Sequence, residues 1–343
     1  MFTELSLSAQ AAYAEILDQT RSKAIDSLSS LSGSFHARTI KGKSYVYFGY
    51  RDVNGAGKMI YIGPNDDRVN SLIERFRTEK TYQKISPLVK SAEVLGCQGM
   101  MPKHFKITQQ LANYGFFKAG GILVGTHAFL AMGNMLGIKW ASGNKTFDVD
   151  FAHAGKNISI ALPANITISV HDALTSLEMG LLPIQQFSGM AGAQYRNPKD
   201  PELRVDFLTS VGREKDNVVV NNLGLSLEPL KFMEFSLEGT TQAVILGRNE
   251  ACLVNIPAPE RFAIHKLIVY GERKLEERVK SVKDVEQAAA LISWHVNNGL
   301  SSLIAEARED AMSRGPGWKS RLQQGLEFML LRHPELRIPE LSL

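Results

Sequence analysis

Apolar positions in this chain change period several times, and each change predicts an element. Residues 1 to 30 carry helical spacing and end in the Ser/Gly run "SSLSGS". Next, "ARTIKGKSYVYFGYRDVNGAGKMIYIGPNDD" alternates aromatic and polar residues around the Gly-rich "VNGAG", which predicts a β-hairpin. From Asp67 the helical period returns, with Val69, Leu72, Ile73 and Phe76 on one stripe. Together these elements predict an N-terminal helix and hairpin unit over residues 1–95, a candidate for substrate binding.

A second region is expected over residues 96–255. A helix is predicted across 104–118, stopped by Gly120 and Gly121. "ILVGTHAFLAMGNMLGI" reads as a short buried strand, a Gly-Thr turn and an apolar helix. "TFDVDFA" is the next strand, and "NISIAL", "AQYR", "LRVDFLT", "LKFMEFSL" and "AVILG" follow as further strand-like runs. "AQYRNPKDPELRVDFLT" predicts a hairpin, because Asn-Pro-Lys-Asp-Pro is strong turn chemistry. From Pro257 the pattern is helical almost to the end, through "PERFAIHKLIVYGER", "VKDVEQAAALISWHV" and "LQQGLEFMLL", which predicts a helical region over 256–343. The fold class expected is α+β.

Composition narrows the class without choosing a function. With 44% hydrophobic and 22% charged residues over 343 positions, the chain can bury a large core and is not of disordered type. Its 39 basic and 35 acidic residues leave a net charge of +4, which permits an anionic partner without requiring one. Cys97 and Cys252 form neither a disulfide framework nor a zinc spacing, and suit a reducing compartment. The N-terminus lacks a basic leader, and no apolar run reaches the ~18 residues of a spanning helix. A soluble cytoplasmic protein with no membrane partner is expected.

The chemistry starts in "TFDVDFA". Residues two apart on a strand share a face, so Asp148 and Asp150 should point together while Phe147, Val149 and Phe151 pack on the other side. Two half-buried carboxylates repel, and a hard divalent cation such as Mg²⁺ or Mn²⁺ relieves that repulsion. The plainer reading is an amphipathic edge strand with a wet acidic face. In "LVGTHAF", Gly125 and Thr126 stand between a strand and a helix, where free N–H groups and the helix dipole suit phosphate; the plainer reading is an ordinary helix cap. Asp206 in "LRVDFLT" could supply the third carboxylate of a two-metal site, or could pair on the surface with Arg204 or Arg196. His153 and His265 belong to no metal-spaced cluster.

Taken in order, "LVGTHAF", "TFDVDFA" and "RVDFLT" resemble the DNA polymerase β-type nucleotidyltransferase superfamily. The overall order, including "PERFAIHKLIVYGER" and "VKDVEQAAAL", is similar to bacterial nucleotidyltransferase-fold proteins related to AbiEii-type toxins. The resemblance implies a mixed-sheet nucleotidyltransferase core flanked by the N-terminal unit and the helical C-terminal region. It implies Mg²⁺ or Mn²⁺ on Asp148, Asp150 and Asp206, and the outer phosphates of a nucleoside triphosphate such as ATP on Gly125 and Thr126. Lys266 would neutralise charge during transfer, and Asp284 would orient Lys266 or a substrate hydroxyl.

The hairpin carries a separate signal. Arg38, Lys41, Lys43 and Arg51 interleave with Tyr45, Tyr47, Phe48 and Tyr50, a pairing of cations and aromatics that grips RNA or single strands. A half-buried hairpin with one aromatic face uses the same residues. The expected activity is transfer of a nucleoside monophosphate from an NTP to an acceptor such as a tRNA 3′ end, with a toxin role and a cognate antitoxin implied by the resemblance. A catalytically inactive nucleic-acid-binding module, or transfer onto a protein or small molecule, remain the alternatives.

Overall fold

The structure is a computed structural model, and it describes residues 1–26, 33–40, 43–51, 57–65, 67, 85–141, 146–154, 167–185, 191–210, 217–274 and 281–341. Its centre is a mixed sheet. β5 (Gly121–Leu123) lies antiparallel to β7 (Asp148–His153), β7 lies parallel to β10 (Asp200–Ser210), and β10 lies parallel to β12 (Leu225–Leu230). β8 (Leu182–Gln185), β9 (Ala191–Asn197) and β11 (Val218–Val220) extend this sheet in antiparallel pairs. The β9–β10 hairpin turns at the predicted Asn-Pro-Lys-Asp-Pro run.

β7 is interior, bounded by β5 on one side and β10 on the other, so the edge-strand reading of "TFDVDFA" does not hold. Val149, Phe151, Val205 and Phe207 are fully buried on one face, as the period of two requires. Phe147 departs from that expectation. It precedes the first strand residue and is 53% exposed, so the inward face starts at Val149.

The Gly-Thr turn opens α4 (Gly125–Met135), which follows α1 to α3 at Leu7–Asp26, Ile85–Val94 and Pro102–Asn113. The helix expected over 104–118 thus begins two residues earlier and ends at Asn113, where a run of turns takes over. "LKFMEFSL" was expected as a strand. Instead β12 ends at Leu230, Phe232 takes a left-handed φ of 66°, and α6 (Met233–Glu238) follows a short α5 (Val170–Thr175) in chain order. Met233, Phe235 and Leu237 are buried on α6, so side-chain packing overrides an alternation that reads as β.

β1 (Phe2–Glu4) pairs antiparallel with β6 (Ile138–Trp140), and β13 (Thr240–Leu246) and β14 (Ala251–Pro257) form a second two-stranded sheet. α1 and α2 pack against it: Val244 N–H donates to Tyr13 Oη at 2.9 Å, within a cluster of Leu5, Ile16, Val89 and Leu246. α7 (Pro259–Glu272), α8 (Val282–Asn297), α9 (Ser301–Ser313) and α10 (Pro316–Arg332) build the C-terminal helical region. Gly325 lets α10 approach α7 closely; a Cβ there would lie 2.3 Å from the Leu267 carbonyl oxygen.

β2 (Gly33–Ile40), β3 (Lys43–Arg51) and β4 (Gly57–Pro64) form a separate antiparallel sheet, so the expected two-stranded hairpin has a third strand. The helix expected around Val69 to Phe76 and the strand expected at "NISIAL" lie outside the described residues. Among the described residues no helix is long and apolar enough to cross a membrane, and both cysteines are buried free thiols.

Candidate active site

The β7–β10 register builds the site. Arg204 stands opposite Asp148, and Asp206 stands opposite Asp150. The four residues therefore share the sheet face that Val149 and Phe151 do not occupy. One carboxylate oxygen from each of Asp148, Asp150 and Asp206 lies within 4.8 Å of the other two. All three aspartates singled out from the sequence thus converge, and the buried Asp206 is not a surface residue.

Arg204 lies in the same cluster. Its Nη2 is 2.9 Å from Asp148 Oδ2, and its Nε is 2.9 Å from Asp206 Oδ2. The Asp206–Arg204 pairing weighed for the sequence is present, but the guanidinium spans two of the three aspartates. Arg196 on β9 stands opposite Arg204 in the antiparallel β9–β10 register. Asp206 Oδ1 stays buried with no hydrogen-bond partner.

The three carboxyls titrate differently. Burial, followed by the Asp148 and Asp206 charges, pushes Asp150 up to about 7. Burial also lifts Asp206, to about 6, with Arg204 opposing. For Asp148 burial pulls upward too, yet the Thr146 hydroxyl, its own backbone N–H and Arg204 outweigh it and hold the carboxyl below the usual range. Thr146 Oγ1 donates to Asp148 Oδ1. This donor set fits a hard divalent cation: three converging carboxyls, an orphaned buried oxygen, and burial and like charge that a cation would offset. Mg²⁺ or Mn²⁺ could be held here.

Gly125 and Thr126 adjoin the triad. Gly125 has a φ of 63°, and a Cβ on it would lie 2.2 Å from Asp150 Oδ2. Val124 N–H donates to the Asp150 carbonyl at 3.0 Å, fixing the strand end against β7. No side chain caps α4, so its first N–H groups lack a side-chain acceptor where Gly125 adjoins Asp150. Thr126 therefore does not serve as the ordinary cap. Its hydroxyl oxygen instead accepts from Lys283 Nζ at 2.9 Å.

Lys266 and Asp284 pair with each other within electrostatic range of Asp150. Lys266 Nζ bonds Asp284 Oδ1 at 2.6 Å, and Arg273 Nη2 lies 3.3 Å from Asp284 Oδ2. The Lys266 charge helps restrain the rise of the Asp150 pKa. On the other flank, beside β9 and β10, a cavity of about 380 Å³ is walled by Phe147, Asp148, Arg196, Glu202 and Arg204.

Sequence reasoning missed Lys283, the double role of Arg204 and this cavity. His153 donates to the Ala119 carbonyl at 2.9 Å and His265 is buried among core residues, so neither joins the acidic cluster. Of the hairpin residues, Arg38 is exposed and paired in register with Tyr45. Lys41 lies outside the described residues, as do the side chains of Lys43, Tyr45, Tyr47 and Arg51.

Comparison with known proteins adds a family. A model described as "Nucleotidyltransferase" matches residues 103–313, a span holding the three aspartates, Gly125, Thr126 and both lysines. No curated protein matches the chain. Among solved structures, an antigenic nucleotidyltransferase-like protein from Paracoccidioides brasiliensis is similar at 14% identity and a TM-score of 0.35, over 71% of this chain and 94% of that one. At that level the likeness carries no argument about the site.

Proposed function

The chain belongs to this nucleotidyltransferase family, and from that premise we propose that it transfers a nucleoside monophosphate from an NTP to an acceptor hydroxyl. The observation that carries this reading is the convergence of Asp148, Asp150 and Asp206 beside the uncapped start of α4. Asp148, Asp150 and Asp206 would hold the divalent ions, which when bound neutralise charge on the transferring phosphate.

The chain's own residues divide the remaining work. The α4 N–H groups and Thr126 grip the outer phosphates on the β5 side of β7. Lys266 offsets negative charge that builds during transfer, and Asp284 fixes its ammonium. The acceptor enters from the cavity on the β9–β10 side, where Phe147 offers an exposed ring and Arg196 a cation. There its hydroxyl oxygen bonds to the α-phosphorus while the bond from that phosphorus to the bridging oxygen breaks. Pyrophosphate leaves with the electron pair, and the acceptor proton passes to the Asp206 carboxylate.

The acceptor we propose is RNA, such as a tRNA 3′ end, in the cytoplasm. Its support is the aromatic and arginine lining of the cavity and the cation-aromatic pattern of the β2–β4 unit, within residues 1–95. Incubation with α-labelled NTPs, Mg²⁺ and total RNA tests it. Label on RNA that vanishes with Asp148→Ala supports the reading, and label removed by protease but not RNase moves the acceptor to a protein. The AbiEii-type resemblance adds the expectation of a toxin with an antitoxin; growth arrest on induction, relieved by a neighbouring gene, checks it.

One observation favours the inactive binding module. Arg204 already places a cation between Asp148 and Asp206. RNA retention without label transfer in the same incubation identifies that case.

A further inference from the structure

Two buried histidines meet beside the acidic cluster, and the transfer chemistry uses neither. His104 stands in the first turn of α3 and His127 in the first turn of α4. His104 Nδ1 and His127 Nε2 are 2.8 Å apart, with the ring planes at 82°. Burial is the largest influence on both and lowers their pKa values, that of His127 to about 3, so both rings are neutral.

A neutral imidazole carries one donor and one acceptor, so its neighbours decide which nitrogen holds the proton. The Phe147 carbonyl accepts from the His104 ring. His104 Nδ1, facing His127, is then the acceptor, and His127 Nε2–H donates to it. Donation therefore runs from α4 through α3 to the residue before Asp148.

The Phe147 carbonyl also accepts from the Arg204 backbone N–H at 3.3 Å. A peptide unit is planar, so a carbonyl fixed by two donors fixes the Asp148 N–H at its other end. That N–H bonds to the Asp148 carboxyl, as does the Thr146 hydroxyl. We propose that His127, acting through His104 and the Phe147 carbonyl, positions the Asp148 carboxylate for metal. Both histidines are positioning residues, acting through the backbone and not as ligands. The inference rests on the reading of the three aspartates as a metal site.

A pair that only ties α3 to α4 would affect stability alone, so the test reads metal affinity. The full chain is titrated calorimetrically with Mn²⁺ alone, at one pH. His127→Gln keeps an N–H donor at the level of Nε2, His127→Asn places its amide at the level of Nδ1, and His127→Leu has no donor. His127→Asn and His127→Leu should each weaken Mn²⁺ binding about tenfold, as loss of a group that orients a metal ligand does. His127→Gln should keep most of the affinity. Melting curves set a temperature at which each variant is folded; if His127→Leu is not, the comparison of His127→Asn with His127→Gln decides alone. Mn²⁺ affinity unchanged in His127→Asn, or lowered equally by His127→Asn and His127→Gln, overturns the positioning role and leaves the metal site standing. A wild-type chain that binds no Mn²⁺ overturns both.

Discussion

A Cβ on Gly125 would lie 2.2 Å from Asp150 Oδ2, so the first residue of the phosphate-side helix and the central aspartate of the acidic cluster occupy adjoining space. The positive φ of Gly125 adds a second reason for glycine. Gly125→Ala should displace the Asp150 carboxyl and strain the turn, lowering stability by about 1–3 kcal/mol. Thermal melting reads the loss, and Mn²⁺ titration should show weakened binding.

Asp150 ties ion binding to pH. Its carboxyl titrates near 7 and that of Asp206 near 6, so both bind protons in competition with a metal. Mn²⁺ affinity should rise steadily from pH 5.5 to pH 8, roughly tenfold per pH unit for each proton displaced below its pKa. A flat profile contradicts the triad as the site.

The same shift predicts a stability effect of opposite sense. A carboxyl whose folded pKa is raised binds more protons folded than unfolded, so stability falls as pH rises from about 4 to 7. Without metal, Asp150→Asn should therefore stabilise the chain at pH 8, by at most about 4 kcal/mol and less where water screens the group. At pH 4 the difference should disappear. Melting curves with a chelator present at both values decide it.

Arg204 competes with a cation for Asp148 and Asp206. Arg204→Met should tighten Mn²⁺ binding and lower the metal-free stability, the latter by only about 1 kcal/mol because these pairs are part-exposed, read as a lower melting point. Opposite movement of the two readouts is the signature. If both fall, Arg204 serves the structure alone.

Asp284 holds Lys266 and Arg273 in a mostly buried setting. Asp284→Ala should destabilise by about 3 kcal/mol, since it leaves the mostly buried Lys266 ammonium without its carboxylate. Lys266→Met combined with Asp284→Leu should recover much of that stability but none of the transfer activity. Paired melting and label-transfer assays separate the structural contribution from the chemical one.

How much of this was legible in the sequence depends on range. Asp148 and Asp150 on one face follow from a period of two, and the strand–glycine–helix order around Gly125 is local. The partnership of Asp206 with Asp150 needs the parallel β7–β10 register, which resemblance supplied and spacing could not. Lys283 carried no local signal, because its partner lies 157 positions away. Phe147 misled through strict alternation continued one residue beyond the strand, and "LKFMEFSL" through an apolar pattern that a six-residue helix also satisfies.

Anomalous diffraction from crystals soaked with Mn²⁺ and a non-hydrolysable NTP decides whether the three aspartates hold metal beside a nucleotide. Manganese should be bonded to carboxylate oxygens of Asp148 and Asp150 at about 2.1 Å, with the outer phosphates at Thr126. A bound nucleotide with no manganese at the aspartates, and Arg204 still bridging Asp148 and Asp206, would contradict that arrangement.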